Sequence, residues 1–118
     1  MSDMDDDDKV FRALAAPVRR RIMDALRDRP QTTGELAATL TDIGRCAVMQ
    51  HLGVLEGAGI VVVRRVGRQR WNHLDAIPIK RIHDRWIGEY ARSAVERLDD
   101  LKHRIEKPEE ATVPGQVE

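Results

Sequence analysis

A single cysteine, Cys46, in a chain of 118 residues rules out an intrachain disulfide and any zinc site that takes two thiolates from one chain. Long hydrophobic runs are also missing. The longest, Gly59-Ile60-Val61-Val62-Val63, is too short to cross a bilayer, so no membrane partner is expected. The N-terminal residues are acidic and lack an apolar stretch, which argues against a signal peptide and makes the cytoplasm the expected compartment. No glycine-rich phosphate loop follows a strand, and there is neither a nucleophile elbow nor a His-Glu-x-x-His motif. Glu56 and Asp75 have no evident sequence partners and read as surface acids. So small a chain also leaves little room for a pocket walled on all sides. No catalytic residue and no cofactor is expected.

Net charge is absent as well: 20 basic residues balance 20 acidic ones. The balance conceals an asymmetry. Residues 1–8 hold five acids and no base, residues 9–81 hold fourteen bases and six acids, and residues 82–118 hold six bases and nine acids. A basic middle between acidic ends suggests a local anionic partner, with nucleic acid the first candidate.

Periodicity organises the rest. Residues 1–8 read as an acidic disordered tail. Val10, Phe11 and Leu14 form a short helical stripe. Pro17 suits the first turn of a second helix, which runs to about Asp28 with Val18, Ile22, Ala25 and Leu26 inward. Thr32 and Glu35 have capping-box spacing and open a short helix. Thr41-Asp42-Ile43-Gly44 breaks that helix, and another starts near Arg45 with Val48, Leu52 and Leu55 inward, ending at Gly57 and Gly59. From Ile60 to Val66 the pattern is β-branched. Gly67-Arg68 is a two-residue hairpin turn, and Gln69 to Leu74 returns. A last helix extends from Pro78 to Ile105, and residues 107–118 read as a disordered tail.

This order is mainly α with a small β-hairpin: a winged helix-turn-helix domain over residues 9–75, then a long C-terminal dimerisation helix within 76–106. A helix that enters the major groove needs one face for the core and the other for bases. On a wheel of residues 45–57, Val48, Leu52 and Leu55 define the core direction, with Cys46, Gln50, Gly53 and Gly57 opposite. Ala47, Met49 and Val54 flank that face. Gln50 has the donor and acceptor to read adenine in bidentate fashion. In the hairpin, Arg64, Arg65, Arg68 and Arg70 crowd seven residues without an acid, which suits a phosphate backbone or a minor groove. Double-stranded DNA is thus the expected partner.

The last helix carries an apolar stripe through Ile79, Ile82, Trp86, Tyr90, Ala94, Leu98 and Leu101, longer than the preceding domain can cover. A symmetric pair of such helices, with Val10 and Phe11 of the first helix alongside, is the expected homodimer interface. The alternative is a helix folded back over its own domain.

Several stretches resemble the ArsR family of winged-helix repressors: Val10-Phe11-Arg12-Ala13-Leu14-Ala15-Ala16-Pro17-Val18-Arg19-Arg20-Arg21-Ile22-Met23, Glu35-Leu36-Ala37, the run from Ala47 to Val61, and Val66-Gly67-Arg68. The segment from Pro78 to Trp86 resembles a subgroup often encoded beside an SRPBCC-type, START-like protein. The resemblance implies cytoplasmic dimers that repress their own operons and release DNA on a signal. It also implies DNA contacts from Arg45, Gln50 and His51, and by position Met49. Gly44 and Met49 stand where the family pattern has serines, so the operator sequence does not carry over. Metal-sensing members have Cys-x-Cys in the short helix, or Asp-x-His with a distant His and Glu. Here that helix reads Leu36-Ala37-Ala38-Thr39-Leu40, and His83 and His103 lie roughly 30 Å apart along one helix. No metal site is expected, although an antiparallel dimer would leave one across two chains open. Two rival readings remain: a protein-interaction module on the same fold, disfavoured by the basic hairpin, and a metal or metalloid sensor, disfavoured by the missing ligands.

Overall fold

A computed structural model describes residues 3–106, with side chains from residue 5. The described residues divide into two compact units, one ending at Arg81 and the other beginning at Ile82. The first contains α1 (Asp3–Leu14), α2 (Pro17–Asp28), β1 (Gln31–Thr32), α3 (Thr33–Thr39), α4 (Arg45–Gly57), β2 (Val61–Val66) and β3 (Gln69–Leu74). Helix α5 (Ile77–Ile82) follows at its boundary. The segment 107–118, expected as a tail, lies outside the described residues.

Local chemistry accounts for the starts of α2, α3 and α5. Pro17 occupies the first turn of α2, where no N–H is needed. The capping box of α3 is complete: Glu35 N donates to Thr32 Oγ1 at 3.1 Å, and Thr32 N donates to Glu35 Oε1 at 3.0 Å. Such a cap stabilises by about 1 kcal/mol. Asp75, expected to lack a partner, accepts from Ile77 N at 2.9 Å at the start of α5.

The acidic segment expected as a tail is instead helical from Asp3 onward. Carboxylates in the first turns of a helix meet the positive end of its dipole. Asp7 is buried, with Arg81 Nε 3.7 Å from its Oδ1. Val10 also departs from expectation. It is 0% exposed, in a core shared with Ala13, Ile22, Leu26, Leu36, Val48, Leu52, Leu55 and Ile60, and so is not available to a partner. Phe11, one residue along, faces outward.

Strand order is β1-β3-β2, with β1 and β2 both antiparallel to β3. The hairpin register closes at Val66 opposite Gln69, so Gly67 and Arg68 form the turn. Gly67 has φ +63°, a conformation that strains side chains with a Cβ. Sequence patterning missed β1, because two residues carry no period. Gln31 pairs with Asn72 and Thr32 with Trp71. Asn72 is fully buried, and its Nδ2 donates to Gln31 O at 3.1 Å and Thr33 Oγ1 at 3.2 Å, which ties the sheet to the start of α3.

Between α3 and α4, Asp42 accepts two bonds from Arg21 of α2, at 2.8 and 2.9 Å. The Arg21 guanidinium thereby holds the Asp42 carboxyl below the usual carboxylate range. A carboxylate depressed in the folded state adds stability above its unfolded pKa, and that stability is lost as the pH falls through the lowered value. Both groups are exposed, so solvent screening keeps this contribution small.

In the second unit, His83–Ile87 is a π turn closed by Gly88 N donating to His83 O, and α6 (Gly88–Glu106) follows. Ile82 is only 3% exposed within the single chain, contrary to its expected place in a dimer interface. Ile79 and Trp86 are half-buried, and the Arg85 guanidinium lies 4.6 Å from the Trp86 ring centroid. No residue of α6 is buried. Ile87, Tyr90, Val95, Leu98, Leu101 and Ile105 are each 46–68% exposed, and Ala94 is exposed too.

Candidate nucleic-acid interface

Helix α4 presents two different faces. Val48, Leu52 and Leu55 are buried at i, i+4 and i+7 and fix the helix against the core. Opposite them, Arg45, Cys46, Met49, Gln50, Gly53 and Val54 are exposed, as the wheel anticipates, while Ala47 and His51 sit half-buried at the margins. A glycine inside a helix costs about 1 kcal/mol against alanine. Gly53 has no packing reason for that cost: a Cβ built on it meets no atom within 4 Å. The glycine leaves the exposed face of α4 flat enough for close approach by another molecule.

The hairpin arginines separate by strand alternation. Arg65 and Arg70 stand directly opposite each other, on the face that also carries Val61 and the buried Asn72. Arg64 pairs with Trp71 on the other face and shares a shallow outer groove with Pro30, Val66 and His73. Arg68 is in the turn. A cleft of about 340 Å³ opens where the hairpin, the start of α3 and the start of α4 meet. Thr32, Thr33, Gly34, Arg45, Met49, Arg65, Arg68, Gln69 and Arg70 line it. Three helix and hairpin elements thus bring Arg45, Arg65 and Arg68 to one concave surface.

Arg70 is bound differently from the others. Its Nη2 donates to Glu56 Oε1 of α4 at 2.6 Å, and its side chain is the more enclosed of the pair. Glu56, expected as a lone surface acid, therefore braces the hairpin onto α4 and neutralises one of the four hairpin charges. The triple run Arg19-Arg20-Arg21 is likewise engaged within the protein. Arg19 bonds the Ala13 and Arg12 carbonyls and His51, Arg20 bonds the Leu14 carbonyl at 2.5 Å, and Arg21 bonds Asp42. These pairings join residues 6 to 32 positions apart, and no local spacing signals the longer ones. Among the described residues, no group of three or more His, Cys, Asp or Glu could hold a metal ion, and no helix is long and apolar enough to cross a membrane.

A helix-turn-helix domain model matches residues 14–64. YuzN of Bacillus subtilis, described as an uncharacterised helix-turn-helix-type transcriptional regulator, is 37% identical over 86 residues, covering 68% of this chain and 94% of that protein. CmtR of Mycobacterium tuberculosis, a helix-turn-helix-type transcriptional regulator, is 48% identical over 61 residues. That match covers 52% of this chain and 51% of CmtR, so the chain spans only about half of that relative. Among solved structures, an ArsR-like transcriptional regulator from Rhodococcus sp. RHA1 superposes with a TM-score of 0.69 at 26% identity, over 86% of this chain and 91% of that one.

Proposed function

The chain belongs to the ArsR family of DNA-binding, helix-turn-helix transcriptional regulators, and from that premise we propose that it represses by gripping a pseudo-palindromic operator as a homodimer. Helix α4 lies in the major groove. Arg45, Met49 and Gln50 reach base edges there, with Gln50 suited to a bidentate bond with adenine. Arg65 and Arg68 of the hairpin hold the adjoining backbone phosphates. Arg64 faces the opposite side of the sheet and serves the backbone only beyond the cleft. The single observation behind this reading is the exposed face of α4: its first two turns carry no acid, Gly53 keeps it flat, and Arg45, Arg65 and Arg68 border it without a carboxylate partner among the described residues. Such a surface suits a polyanion that approaches closely along one helix.

Gly53→Leu tests the reading through two effects of opposite sign. Open space surrounds the position, and leucine is a better helix former by nearly 1 kcal/mol. The variant is expected to unfold at a temperature a few degrees higher, yet to lose operator affinity by roughly ten-fold or more because its side chain fills the approach to the groove. Thermal unfolding and fluorescence anisotropy with an operator duplex read the two. Greater stability with undiminished affinity would mean that α4 does not face the DNA.

A further inference from the structure

His51 sits at the edge of the DNA-facing surface of α4, half-buried, and Arg19 of α2 holds it from behind. Three donors of the Arg19 guanidinium are used. Nε donates to the Ala13 carbonyl and Nη2 to the Arg12 carbonyl, both at 2.9 Å, in the last turn of α1. Nη1 lies 3.1 Å from His51 Nδ1. The two carbonyls fix the plane of the guanidinium, so its third donor is aimed at the imidazole. A guanidinium has donors and no acceptor. Nδ1 must therefore be the acceptor, which makes the ring neutral and puts its one proton on Nε2.

We propose that Arg19 is a positioning residue for DNA contact: it holds His51 as the Nε2–H tautomer, so that this N–H donates to a phosphate oxygen beside α4, while Arg19 itself touches no DNA. The inference rests on the reading of α4 as the DNA-facing helix. An arginine next to two others in a DNA-binding domain looks like a phosphate ligand in sequence. Here its positive charge is committed to the helix-end carbonyls of α1, where cations are favoured. Because one guanidinium joins the end of α1 to His51, the same contact sets the position of the imidazole relative to the N-terminal helix.

Two measurements on the full chain test this. Long-range proton–nitrogen spectra of histidine-labelled protein at mildly alkaline pH are expected to show His51 protonated on Nε2, with Nδ1 an acceptor. In Arg19→Leu, the Nδ1 resonance is expected to move downfield as its hydrogen bond is lost. A wild-type ring protonated on Nδ1, or a resonance that Arg19→Leu leaves in place, overturns the proposal. The second measurement is operator affinity across a salt series. Arg19→Leu and His51→Ala are each expected to lose about ten-fold, the scale of one hydrogen bond to a charged group. The double variant should lose no more than His51→Ala alone. The salt slope of Arg19→Leu should match wild type, because no phosphate contact of its own is removed. Arg19→Lys retains the charge and loses the fork, so it guards against a folding defect in the leucine variant and should bind as weakly. Additive losses, a salt slope lower by about 0.9, or full affinity in Arg19→Lys would each make Arg19 a direct or dispensable contact and overturn the proposal. Wild-type protein that bound no DNA would overturn the reading of α4 itself, while the spectra would still decide whether Arg19 holds the tautomer.

Discussion

Replacing Leu98 and Leu101 with glutamate is expected to break the proposed dimer into monomers and to reduce operator affinity by at least about a hundred-fold, as loss of avidity does. The expectation comes from α6, in which no residue is buried although five large apolar side chains, Tyr90, Val95, Leu98, Leu101 and Ile105, recur along it. Helices in proteins owe most of their stability to packing of an apolar face. Burying a large apolar side chain fully contributes about 1.5–3 kcal/mol. Two copies of Tyr90, Leu98 and Leu101 therefore supply enough to offset the cost of association, which runs from about 4 to 15 kcal/mol. Two glutamates per chain would bring four charges into that contact without partners. Sedimentation velocity at micromolar concentration reads the result directly. A variant that stayed dimeric would place the interface elsewhere and leave the exposed stripe of α6 without a role.

Arg65→Ala combined with Arg68→Ala is expected to weaken binding to every DNA sequence by roughly ten-fold or more, and to lower the salt slope by about 1.8, from two phosphate contacts at about 0.9 each. Sequence preference should survive, since the proposed reading assigns base contacts to α4. The reasoning is geometric: these two guanidinia line the cleft beside Arg45 and Met49, whereas Arg64 faces away and Arg70 is held by Glu56. Glu56→Gln should act in the opposite direction. With its carboxylate gone, Arg70 regains a charge for the backbone, so binding should tighten for all sequences and the slope should steepen. Equilibrium titrations across a salt series measure both variants. An unchanged slope in the double alanine variant would remove the hairpin from the DNA interface.

What the sequence disclosed was mostly local. Pro17, the Thr32–Glu35 box and the Gly67 turn each act within four residues, and the α2, α3 and hairpin boundaries follow from them. The buried triad of α4 was equally legible, because helical periodicity needs only its own segment. Features that depend on distant partners were not. Strand β1 exists because Gln31 meets Asn72, and neither residue advertises a strand by itself. Four adjacent aspartates read as a solvated tail until Arg81 is placed beside Asp7. Val10 and Phe11 are neighbours on one helix, and only the packed core shows that the first is spent inside the chain while the second remains outside. At the candidate site, the sequence grouped four hairpin arginines, whereas the fold sorts them: two into the cleft beside α4, one onto Glu56 and one to the far face.

Selection of genomic fragments by the purified full-length protein, followed by sequencing, tests the central claim most directly. A dimer reading DNA with two α4 helices is expected to enrich an inverted repeat whose half-site centres are about one helical turn, roughly 34–36 Å, apart. The enrichment should fade in Gln50→Ala at one or two base pairs of each half-site, at a cost of about 1–3 kcal/mol. Fragments recovered without a shared sequence, or a single half-site with no symmetric partner, would contradict it.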